Sequence, residues 1–251
     1  MANFSLKNFL SRTELQREKL KDYRNVVLIQ IVLVVFVLVF DSPLHENSRS
    51  EFSKLLISIL SFCGAFYAYL LWDLLRNFST SKLLIKGIIA VLAAITIIGM
   101  LGEFPYYQII EVPDRQIYLL TIHGLLFPIE IIVISFAIRD LFSQGYMSSD
   151  KLWGAACVFL MVGISFGSLY DILNTAVPGS LGQIIELGIP NYTECMTHSF
   201  CVLAGIDSGL PMSRLVRNIS VIEAVWGGLY GMIIIGKLLG LPRAENENQI
   251  N

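Results

Sequence analysis

Apolar residues run along this chain in blocks of membrane length, and polar residues collect at the joints. The blocks are Val26 to Phe40, Leu55 to Leu75, Leu83 to Leu101, Ile117 to Ile138, Leu152 to Val177 and Ile219 to Leu241. A helix needs roughly 20 apolar residues to cross the hydrocarbon layer. The pattern therefore predicts six transmembrane helices and an all-α membrane protein. Val26 to Phe40 is short for a span and carries Gln30. The joints hold ordinary breakers: Asp41-Ser42-Pro43, Pro105, Pro113, Ser148-Ser149-Asp150 and Pro178-Gly179.

Between the fifth and sixth blocks lies a shorter stretch, Thr197 to Pro211, in which an apolar block of ten residues leads into a Gly/Asp/Ser/Gly/Pro turn. So short a stretch cannot cross. It enters the membrane only if its irregular backbone is buried in protein or lines a water-filled path. The expectation is a re-entrant helix and loop, followed by the last span.

Composition agrees with the pattern. The chain has 251 residues, 55% of them hydrophobic and 15% charged, where soluble domains carry about 25% charged residues. The net charge of −2 decides little, because the placement of Lys and Arg sets orientation. The N-terminal arm, the second and fourth loops and the C-terminus carry more of them than the loops between, so both termini are expected on the cytoplasmic side of the plasma membrane. Met1 to Arg24 lacks the pattern of a signal peptide. It reads either as an amphipathic helix on the membrane surface or as a solvated basic lead-in. Cys195 and Cys201 are six apart on a predicted helix and point to different sides, so no bridge between them is expected.

Ionisable residues inside spans are costly and are candidates for function. His123 and Glu130, seven apart on the fourth run, share a face. Pro128 between them removes a backbone bond near Gly124 and is expected to kink the helix. These three are candidates for intramembrane coupling: a proton or ion relay or a gate linkage, or else polar partners for neighbouring spans. Asp73 and Arg76 are three apart and read as an interfacial ion pair. Asp171 and Glu223 fall near the re-entrant segment, where a carboxylate can hold the short helix by hydrogen bonds. His198 on that helix is expected to pack behind the loop or to sense pH. Gly227, Gly228, Gly231 and Gly236 on the last run permit close packing or bending. Ile234 and Leu238 are candidates for a hydrophobic gate.

The stretch Ser199-Phe200-Cys201-Val202-Leu203-Ala204-Gly205-Ile206-Asp207, with Pro211, Leu215-Val216-Arg217, Ile222-Glu223-Ala224 and Gly227-Gly228-Leu229-Tyr230-Gly231, resembles the pore loop and inner helix of the potassium-channel superfamily, in particular the bacterial two-helix ion-channel domain. The resemblance covers about fifty residues in detail and only the architecture elsewhere. It implies a cytoplasmic arm over 1–24, a peripheral four-helix bundle over 25–145, a pore domain over 146–243 and a polar tail over 244–251. The peripheral bundle resembles a voltage sensor without its arginines, so charge-based voltage sensing is not expected. The selectivity filter implied is Leu203, Ala204, Gly205, Ile206, Asp207 and Ser208, where the family has Thr-Val-Gly-Tyr-Gly-Asp. Leu203 lacks the threonine hydroxyl, Ile206 the tyrosine hydroxyl, and Asp207 stands at the second glycine. A register in which Gly209 takes that glycine role is also open. Glu223, Asp171 and His198 would support the filter. The function implied is a homotetrameric channel in the lipid bilayer, passing K+ or Na+ with altered selectivity. No enzyme activity, metal site, nucleic-acid partner or other cofactor is expected. The alternatives are a non-conducting channel-like sensor, or a membrane enzyme or transporter using His123, Glu130, Asp73 and Asp171.

Overall fold

The computed structural model describes residues 23–40, 51–78, 81–103, 114–142, 149–206 and 211–239. Among these residues the chain is all helix, with no strand. We number the helices α1 (Tyr23–Phe40), α2 (Glu51–Phe78), α3 (Lys82–Glu103), α4 (Arg115–Phe142), α5 (Ser149–Ala176), α6 (Ile189–Leu203) and α7 (Arg214–Leu239). Six of them, all but α6, are long and apolar enough to cross a membrane. The N-terminal arm before residue 23, the tail beyond 239, Asp207 and Ser208 lie outside the described residues, as does the side chain of Leu238.

The helices run past the apolar blocks at most of their ends. The helix α7 begins at Arg214, five residues before the apolar run starts at Ile219. The reason is local: Ser213 caps it, with Val216 N–H reaching the Ser213 hydroxyl at 3.3 Å and Arg217 N–H the Ser213 carbonyl at 3.0 Å. Charged residues keep the helical bonds while their heads reach outward. Likewise α4 continues unbroken through Pro128.

The helix α5 is the axis of the molecule. In its span 61% of residues are buried, against 17% in α3 and 22% in α7. Its main neighbours are α4 and α6, while α2 lies against α3 and α4, and α7 against α5 and α6. The largest core cluster joins α1, α2, α4, α5 and α7 through Val27, Leu71, Val133, Met161 and Tyr230. Polar ties cross this apolar core at its edges. The Tyr23 hydroxyl donates to Asp140 Oδ2 at 3.2 Å, linking α1 to the end of α4. The Tyr230 hydroxyl donates to the Ala155 carbonyl at 2.9 Å, linking α7 to α5. The Gln116 amide donates to the Thr175 carbonyl at 2.8 Å, linking the start of α4 to the end of α5. On α2, Arg76 pairs with Asp73 at 2.8 Å and lies over the Trp72 ring. The cysteines are free thiols.

Candidate functional site: the seat of the short helix

The helix α6 has 15 residues, about 22 Å at 1.5 Å per residue, against roughly 30 Å of hydrocarbon. Gly188, at φ 101°, turns the chain into it, and Pro190 stands in its first turn. It lies against α5 on one side and α7 on the other.

Close approach to α5 depends on two glycines one helical turn apart. A Cβ on Gly163 would meet the Phe200 ring at 2.7 Å. A Cβ on Gly167 would meet Met196 Sδ at 2.5 Å and its Cα at 3.1 Å. The Gly163-x-x-x-Gly167 pattern is thus a groove that receives α6. Small residues four apart in an apolar run are a legible signal of such a groove, though the more numerous glycines on α7 draw the eye first. Of the α7 glycines, Gly227 is buried against the end of α6: a Cβ there would meet Leu203 Cδ2 at 2.9 Å. Gly228, Gly231 and Gly236 face open space within the chain. Ile234 packs against the core near Tyr230.

Side chains then pin α6 at two heights. At its start, Asn191 donates to Asp171 Oδ1 at 2.7 Å. Asn174 donates to Asn191 Oδ1 at 2.5 Å and accepts at Oδ1 from Leu181 N–H at 3.1 Å. The other oxygen of Asp171 pairs with His123 Nδ1, so one carboxylate joins α4, α5 and α6. In the middle, Ser199 Oγ lies 2.7 Å from the Gly163 carbonyl oxygen and 2.5 Å from Glu223 Oε1; its one hydrogen serves one of them at a time. The Tyr170 hydroxyl donates to Glu223 Oε2 at 2.7 Å. His198 Nε2 meets Ser220 Oγ at 3.0 Å, and its ring stands edge-on to Tyr170. His198 and Glu223 are both buried, at 2% and 0% exposure. The side chains named here thus satisfy one another inside an apolar region, where an unsatisfied group costs about 1–3 kcal/mol, whereas the buried hydroxyls of Ser165, Ser168 and Thr197 have no partner among the described residues.

At its end α6 closes with a Schellman motif. Gly205 is left-handed (φ 72°), its N–H donates to the Val202 carbonyl at 3.0 Å, and the Ile206 N–H donates to the Cys201 carbonyl at 2.8 Å. Leu203 is still helical and Ala204 is the C-cap in right-handed geometry. The segment aligned with a potassium filter therefore starts as a helix end. Gly205 has a capping role, and Ala204, Gly205 and Ile206 are exposed. Before α7, Ser213 N–H donates to the Ser180 carbonyl at 2.8 Å. Pro211 lies against Gly182, whose φ of 102° only glycine adopts without strain.

His123 and Glu130, expected on one face of α4, both line one cavity. His123 has its partner in Asp171. Glu130 is 1% exposed, and neither of its oxygens has a hydrogen-bond partner among the described residues. No group of three metal-ligating side chains occurs among the described residues.

Nothing matches this chain among protein-family models, curated proteins or solved structures.

Proposed function

We propose that this protein is a cation channel built as a homotetramer, with α5, α6 and α7 as its pore domain. The observation that carries this reading is α6: a helix too short to cross, seated between two spans and ending in an exposed turn. Such a helix is useful where its end must stand at mid-depth beside a water path, because irregular backbone is tolerated at that depth only when buried or wet. The resemblance of Ser199 to Gly231 to a pore loop and inner helix supports it from the sequence. The helix α7 leaves Val221, Ile222, Val225, Leu229, Met232 and Ile233 exposed, an apolar face that neighbouring subunits and lipid would cover. One chain brings one loop, and a central pore of this kind is built from about four.

In this reading Leu203 to Ser208 border the path, and Asp207 adds a carboxylate per subunit at its mouth, which attracts cations. The carbonyls of Cys201 and Val202 are taken by the helix cap, leaving those after them to face the ion. K+ and Na+ are the expected permeant ions, with weaker discrimination than a glycine-rich filter gives. The cap also favours a second reading, a non-conducting relative in which the same frame serves as a sensor. Reconstitution of the purified protein in a planar bilayer separates the two. Reversal potentials under K+, Na+ and Ca2+ gradients give the permeability order, and particle mass gives the subunit number. Absence of current in a monomeric particle sinks the channel reading.

A further inference from the structure

A cavity of about 200 Å3 lies among α2, α3 and α4, away from the C-terminal turn of α6. Most of its wall is aliphatic, from residues such as Leu60, Leu92 and Leu126. Its polar side chains include Tyr67, His123, Glu130, Ser168 and Tyr192. Among the described residues, neither oxygen of Glu130 has a hydrogen-bond partner, nor do the buried hydroxyls of Tyr67 and Ser168. The Ser165 and Ser168 hydroxyls lie beside Glu130, near enough to interact with it but outside hydrogen-bond geometry. No Lys or Arg among the described residues lines the cavity, and His123 is already engaged by Asp171. The cost of a buried ionised carboxylate, several kcal/mol, is offset by a cation beside it, so an ammonium is the partner that suits Glu130 best. The volume exceeds the ~150 Å3 apolar cavity that is known to take benzene.

We propose that this cavity is a binding site for a small hydrophobic amine, its ammonium on Glu130 between the Tyr67 and Ser168 hydroxyls and its apolar body against the aliphatic wall. This goes beyond the channel reading and does not depend on it. Tyr192 and Ile189, at the start of α6, form part of the wall, so an occupant touches the short helix directly.

The test uses the full chain in lipid nanodiscs with benzylamine as probe, beside benzyl alcohol and benzoate, which share its ring and differ in charge. Dissociation constants come from saturation-transfer NMR. Expected is saturable binding of benzylamine about tenfold or more tighter than the alcohol, since charge-assisted hydrogen bonds are roughly twice as strong as neutral ones, with benzoate weakest. Glu130→Gln brings the amine level with the alcohol. Gly64→Leu fills the cavity, because Gly64 lines it and a Cβ there meets nothing within 4 Å, and it abolishes both. Melting temperatures of the two variants show that they fold. Equal binding of amine and alcohol, an amine preference that survives Glu130→Gln, binding untouched by Gly64→Leu, or no saturable binding each overturns the proposal. Binding is read without conductance, so a failed channel test leaves this result standing on its own.

Discussion

Glu223 Oε1 on α7 lies 2.5 Å from the hydroxyl oxygen of Ser199 on α6. The other carboxylate oxygen takes the Tyr170 hydroxyl of α5 at 2.7 Å, so one buried carboxyl ties three helices. Glu223→Ala leaves both hydroxyls without that acceptor. The expected cost is about 1–3 kcal/mol for each group left unsatisfied, read as a lower melting temperature in detergent. Glu223→Gln keeps an acceptor for Tyr170 and costs less. A Glu223→Ala protein as stable as the parent would remove this tie from the account.

Asp171 serves His123 with one oxygen and Asn191 with the other. Asp171→Ala removes an acceptor from the half-buried His123 imidazole and from the buried Asn191 amide. The loss expected is about 1–3 kcal/mol for a buried group left unsatisfied. Hydrogen exchange should rise first at the start of α6, around Asn191 to Thr193, because Asn191 loses its acceptor there. Asp171→Asn retains an acceptor for Asn191 and should leave that exchange closer to the parent. Equal effects of the two substitutions would contradict the assignment.

The groove on α5 makes a prediction about size. Gly167→Val places branched carbons against the Met196 backbone, and α6 must shift; overpacking of this kind costs about 1–3 kcal/mol or more. Gly163→Ala meets only the Phe200 ring and Leu203 side chain, which can yield. Pairing Gly163→Ala with Phe200→Leu should therefore recover part of the stability lost in Gly163→Ala alone. Additive losses in the double variant, measured by thermal unfolding, would show that the two sites do not touch.

Asp207 is the test of the loop. If it lines the mouth of a cation path, Asp207→Asn lowers single-channel conductance and weakens block by divalent cations, because a ring of carboxylates concentrates cations there. Unchanged conductance in the bilayer places Asp207 off the path.

The helical plan was legible in the sequence, and the physical reason is local. In lipid every backbone polar group must be satisfied within its own segment, so apolar length alone announces a helix. The short block before Gly205 announces its inability to cross in the same way. Spacing also placed His123 and Glu130 on one face. Boundaries were less legible: α7 reaches back to Arg214 because Ser213 supplies a cap, a bond that hydropathy does not register.

What the tertiary structure decided is which faces meet. A helix's own sequence leaves its rotation and depth against its neighbours open, so no spacing rule brings Asp171 to His123, 48 residues away, or Ser199 to Glu223, 24 away. The same holds for the glycines. Those on α7 looked like the packing or bending elements, yet Gly163 and Gly167 on α5 admit α6, and only Gly227 on α7 packs against it. Gly205 matched a filter glycine by alignment and is a helix-capping glycine by conformation. Glu130 and His123 were equal candidates on one face of α4. Packing gave His123 a carboxylate and left Glu130 facing a cavity without one, because only the neighbouring helices determine what stands opposite each side chain.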